Sequence, residues 1–153
     1  MDPDAELARA GAELAEALTA SLPGWAERVV RERSASQPAG ADAALASRAR
    51  AVGADAAEAV GPELRALLTA DVDHQRQNPM AVVRRAVAWP TAVLRDAGAE
   101  PPERDDYARR HFPDDIYGIT PTSFADLDPE LAEMGLVWGA LKARAHLARH
   151  RRP

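Results

Sequence analysis

The densest chemistry in the chain lies between Asp71 and Asn78, where Asp71, Asp73, His74, Arg76 and Asn78 separate two stretches of helical pattern. Asp71 and His74 are three residues apart, so a helix presents both on one face. A carboxylate paired with an imidazole suits Mg, Mn, Fe or Zn. Two ligands do not make a centre; the others would have to come from Asp114 and Asp115, if that later segment folds against them. The same residues also have an architectural use, with Asp73 and Asn78 capping turns or helix ends, His74 solvated or hydrogen-bonded, and Arg76 paired with an acid.

A second group surrounds Tyr107 and His111, four apart, with Asp105 and Asp106 before them and Phe112-Pro113-Asp114-Asp115 after. A histidine beside a carboxylate can serve as a general base. No nucleophile accompanies it: the chain has no Cys, no Gly-x-Ser-x-Gly elbow and no Gly-rich phosphate loop. Tyr107 and Phe112 are therefore expected to anchor a turn in the core, with the acids capping or facing water. His146 and His150 have the i, i+4 spacing that can chelate zinc, but Leu147 stands where the metalloprotease pattern needs Glu. No local motif reaches three ligands, and no bound metal or other cofactor is expected.

The net charge of −5 disfavours general nucleic-acid binding, which rests on clustered cations. The charge is unevenly spread. Asp2, Asp4, Glu6, Glu13 and Glu16 crowd the beginning, whereas Lys142, Arg144, Arg149, Arg151 and Arg152 make the last fifteen residues free of acid. Both ends complement a helix dipole. The acidic start does not resemble a secretory signal, and the chain lacks the run of about 20 apolar residues that spans a bilayer. A cytoplasmic protein without membrane contact is the expectation.

The elements that must position these groups are helical. Leu7, Gly11, Leu14 and Leu18 recur on one stripe after an Asp2 cap and Pro3, and Ser21-Leu22-Pro23-Gly24 is expected to end this helix. A second runs from Pro23 through Trp25 to Arg33, and Ser34 to Gly40 is the best linker. Leu45, Ala49, Val52, Ala56 and Ala59 form a small-residue stripe that needs a close neighbour in the fold or in another copy, and Gly61-Pro62 should end or kink it. Asn78-Pro79, Thr120-Pro121 and Asp128-Pro129 read as helix starts, Trp89-Pro90 as a kink, and Pro101-Pro102 as the opening of a short helix. Leu127, Leu131, Met134, Trp138, Leu141, Ala145 and Ala148 give the longest seam. Six of the seven aromatics fall between residues 89 and 138. The expected fold is all-α, an irregular bundle of about six or seven helices punctuated by proline. It divides as an arm over 1–33, a linker over 34–40 and a core over 41–153, or forms one domain over 1–153.

Three segments, Asp71-Val72-Asp73-His74-Gln75-Arg76-Gln77-Asn78-Pro79, Phe112-Pro113-Asp114-Asp115-Ile116-Tyr117 and Gly135-Leu136-Val137-Trp138-Gly139, resemble phrases that recur in this order in a group of small uncharacterised actinobacterial helical proteins. The resemblance covers about residues 64–148. It implies a shared fold and brings no activity, cofactor or catalytic residue.

The leading functional reading is a non-enzymatic protein that binds a protein partner or itself, through Trp25, Leu7, Leu14 and Leu18 of the amino-terminal stripe. The alternative is a small metal-dependent enzyme using Asp71, His74, Asp114 and Asp115.

Overall fold

The computed structural model describes residues 2–34, 43–70 and 78–150. Its described residues are helical and contain no strand. Helix α1 spans Pro3–Ser34, α2 Ala43–Thr69, α3 Pro79–Arg84, α4 Ala88–Asp96, α5 Asp106–His111 and α6 Leu131–His150; 3-10 turns occupy Arg85–Val87 and Phe124–Asp126. Because α3, the first 3-10 turn and α4 follow one another without a break, these segments make five rods rather than the six or seven expected.

The difference lies at the prolines. Pro23 lies inside α1 and Pro62 inside α2, and neither ends its helix. An interior proline removes one hydrogen bond and crowds the carbonyl four residues back, a cost of about 3 kcal/mol. Burial on both sides offsets it: Leu22, Trp25 and Ala26 are in the core around Pro23, as are Val60 and Leu64 around Pro62. Upstream of Pro23, the Thr19 hydroxyl donates to the Ala15 carbonyl at 2.7 Å and that of Ser21 to the Leu18 carbonyl at 2.6 Å. At Pro90 the irregularity falls earlier than expected, in the 3-10 turn over Arg85–Val87, and the buried Pro90 continues α4. Pro101-Pro102 opens no helix; Asp105 caps α5 instead, accepting from the Ala108 amide at 2.7 Å. At Asn78-Pro79 the expected start is present, with the Asn78 side chain accepting from Met80 at 3.0 Å.

Helices α1 and α2 run antiparallel and make the largest contact in the molecule. Their pairing follows a fixed register: Gly11 meets Leu68, Thr19 meets Gly61, and Pro23 with Ala26 meets Gly53. The glycines let the backbones approach. A Cβ on Gly53 would stand 2.7 Å from the Pro23 Cα and 2.8 Å from the Leu22 carbonyl oxygen, and one on Gly11 would run into the Leu68 carbonyl. The small-residue stripe of α2 thus finds its close neighbour within the chain: Ala49 and Ala56 are buried, Leu45 and Val52 half-buried, and Ala59 is exposed, the neighbouring Val60 being buried in its place.

On its other flank α1 carries α6, also antiparallel. Arg144 pairs with Glu6 at 3.4 Å and Arg149 with Asp4 at 3.2 Å, so two acids of the beginning meet two bases of the end within one chain. At the opposite end of α1, Arg28 donates to the carbonyls of Asp126 and Leu127, and Arg33 to that of Gly118 at 2.9 Å. The α6 seam holds as far as Ala145: Leu127, Leu131, Trp138 and Ala145 are buried, Met134 and Leu141 half-buried, and Ala148 is exposed.

The turn preceding α6 is held by Asp126, whose carboxylate accepts from the Thr122 hydroxyl at 2.7 Å, the Thr122 amide at 2.8 Å and the Ser123 amide at 3.1 Å. The hydroxyl bond, followed by the Thr122 amide bond, holds its pKa below the ordinary aspartate value; the Ser123 amide and Arg28 add to this against a small desolvation penalty. A depressed folded pKa stabilises the turn above the unfolded value, and that contribution is lost as pH falls through the folded one. The Thr122 and Ser123 amide resonances are therefore expected to move together in an acid titration, with a midpoint below the value of about 3.9 for a free aspartate. Asp126→Asn should abolish that step; a midpoint above the free value would contradict the assignment.

Candidate functional site

The four amino-terminal binding candidates are interior. Leu7, Leu14, Leu18 and Trp25 are buried in the core formed with the neighbouring helices and offer no surface to a partner. Their stripe satisfies the chain's own packing, which is what an amphipathic helix ordinarily does.

Asp71, Asp73, His74 and Arg76 lie outside the described residues. Of the rest of that cluster, Asp115 is buried and committed. Its carboxylate accepts from the Ile119 amide at 3.0 Å, the Thr120 amide at 2.8 Å and the Thr120 hydroxyl at 2.6 Å. It closes the loop over residues 115–120, in which Gly118 takes a positive φ of 65° that favours glycine. Thr120 therefore serves this loop, and Thr120-Pro121 starts no helix. Arg104 ties down the loop's start through the carbonyls of Phe112 at 2.8 Å and Asp115 at 2.9 Å, and the buried Tyr117 hydroxyl donates to Ala99 at 2.8 Å. Asp114 is exposed beside it. Among the described residues, no three His, Cys, Asp or Glu side chains gather as a metal-binding group.

Tyr107 does not anchor a turn in the core. It is 64% exposed and stacks on His111 with ring centroids 4.1 Å apart, while the half-buried Phe112 meets it edge-on at 6.4 Å. Because α5 lasts only six residues and buries none of them, its aromatic pair covers its own surface. His146 and His150 likewise lie against each other at 4.3 Å on the exposed side of α6.

Two surfaces that sequence spacing did not single out stand apart from the rest. One is a cleft of about 570 Å³ between the α3–α4 rod and the loop carrying Phe112, Asp114 and Asp115. Its helical wall includes Arg84, Ala88, Thr91 and Arg95, which recur at four-three-four spacing and so form one stripe. Arg84 sits over the Phe112 ring, 5.7 Å from its centroid. The signal was present in the sequence, but only the folding of the loop onto α4 turns the stripe into a cleft wall.

The other surface is the outer face of α6. Leu136, Ala140, Ala143 and Leu147 make a second stripe, opposite the seam that packs on α1. Leu136 is 76% exposed, Val137 52% and Leu147 53%, and these are three of the four large hydrophobic side chains most open to solvent among the described residues. No described helix is long and apolar enough to cross a membrane. Compared with protein-family models, with curated proteins and with solved structures, the chain matches none.

Proposed function

We propose that this protein is a helical protein-binding module that works as a homodimer, joined through the outer faces of two α6 helices. The observation that carries the reading is the exposed stripe itself. A helix apolar on both sides ordinarily has both sides covered, and α1 covers only one of these.

A second copy fits the stripe by shape and by charge. In an antiparallel pair with the twofold axis between Ala140 and Ala143, those two small residues face each other and let the helices approach, while Leu136 of each copy lies opposite Leu147 of the other. Glu133 is the single acid of α6, on its first turn, and the basic and imidazole side chains lie from Lys142 onward. The antiparallel arrangement brings Glu133 to the partner's His150, whereas a parallel one sets cation beside cation.

Sedimentation equilibrium from micromolar to submillimolar protein tests this. The native chain is expected to dimerise, and Leu136→Glu to weaken the dimer by about tenfold or more, roughly 1.4 kcal/mol, by placing a charge in the contact. Its helicity should not change, because Leu136 is largely exposed. A native chain that remains monomeric throughout, or a dimer indifferent to Leu136→Glu, would overturn the proposal.

A further inference from the structure

We infer that the cleft beside α4 is a binding site for a small organic oxyanion, its anionic head held by Arg95 and Thr91 and its apolar body lying along Ala88 towards Phe112. Thr91 is the first reason. It is 4% exposed and lines the cleft, and its hydroxyl is buried with no hydrogen-bond partner. A buried hydroxyl left without a partner is costly, and valine would fill the same space without that cost. Such a donor is explained if the side chain turns about its Cα–Cβ bond to an acceptor that arrives with a ligand in the cleft.

Arg95 supplies the charge. It stands four residues after Thr91 on the same wall, and because helical side chains tilt towards the amino terminus its guanidinium is within reach of the turn that carries Thr91. The other cations of this wall are engaged: Arg85 pairs with Glu63, and Arg84 lies on Phe112 with its Nε 3.5 Å from the Pro121 carbonyl. Arg95 has no such partner among the described residues, and the acid next to it, Asp96, is taken by Arg48 at 2.7 Å. A guanidinium fork beside a hydroxyl donor matches the oxygens of a carboxylate or a phosphate monoester.

The remaining surface sets the size and body of the ligand. A volume of about 570 Å³ admits a small molecule and no folded partner. Ala81, Val87 and Ala88 give the helical wall apolar patches, and Phe112 with Pro113 gives the opposing wall a flat one. Asp115 faces the same space, but its carboxylate is already held by three donors from its own loop. The site is separate from the α6 face, so dimerisation and anion binding can fail independently.

Phenyl phosphate and benzoate, titrated calorimetrically into the full chain, distinguish the two sources of the oxyanion, and benzyl alcohol supplies the same ring without the charge. At least one of the two anions is expected to bind, and the stronger identifies the head group. Benzyl alcohol should bind at least tenfold more weakly. Arg95→Gln should weaken the anion by about tenfold or more. Thr91→Val should weaken it severalfold while leaving the melting temperature equal or higher, a combination that a purely structural threonine would not give. Failure of both anions to bind, equal binding of benzyl alcohol, or native affinity in Arg95→Gln and Thr91→Val would each overturn the assignment.

Discussion

A chain that begins at residue 41, lacking all of α1, is expected not to fold. Of the twelve largest fully buried side chains, six belong to α1: Leu7, Leu14, Leu18, Leu22, Trp25 and Val30. Burial of a large apolar side chain contributes about 1.5–3 kcal/mol, so losing this set removes on the order of 10 kcal/mol, as much as the whole stability of an ordinary domain. The loss is compounded on the surfaces left behind. Helix α2 would expose an alanine-rich face too thin to find another partner, and α6 would lose the helix against which Trp138 and Ala145 pack. Far-ultraviolet circular dichroism should show a truncated chain with little helix and no cooperative melting. A sharp thermal transition with near-native helicity over the remaining residues would show instead that α1 is an appended arm.

The sequence carried the helices but not the partners they choose. The spacing of Leu7, Gly11, Leu14 and Leu18 is enough to define a buried stripe, and the structure buries each of those positions. Spacing alone does not say whether the stripe faces the same chain or another one. Pro23 and Pro62 read as stops and yet do not stop their helices: their local cost of about 3 kcal/mol is visible in the sequence, while the burial of Leu22, Trp25, Val60 and Leu64 that offsets it is not. The cap at Asn78 was legible because it depends only on adjacent residues. Asp115 was legible as chemistry but not as architecture, since its donors come from a loop whose course is set by Arg104, Arg33 and Gly118. The bulky residues of the α6 seam mark one side of that helix in the sequence, although Leu136, Ala140, Ala143 and Leu147 repeat with the same period on the other.

Alanine at Gly11 and at Gly24, two glycines of the same helix, should change stability in opposite directions. In an open helical position, replacing glycine with alanine stabilises by up to about 1 kcal/mol, because the backbone loses less freedom on folding. Gly24 is such a position: a Cβ there meets nothing within 4 Å. At Gly11 the same methyl group collides with the Leu68 carbonyl of α2, and backbone cannot rotate aside as a flexible side chain can. Either the longest interface in the molecule opens or α2 bends, and overpacking of this kind costs about 3 kcal/mol, several times the propensity gain. For a chain of this length that corresponds to a fall in melting temperature of roughly 10 °C, against a small rise for Gly24→Ala. Thermal denaturation of the two variants beside the native chain measures the contrast directly. If Gly11→Ala melts at or above the native temperature, α1 and α2 do not meet at this register, and the antiparallel pairing of Gly11 with Leu68 and of Pro23 with Gly53 would have to be redrawn.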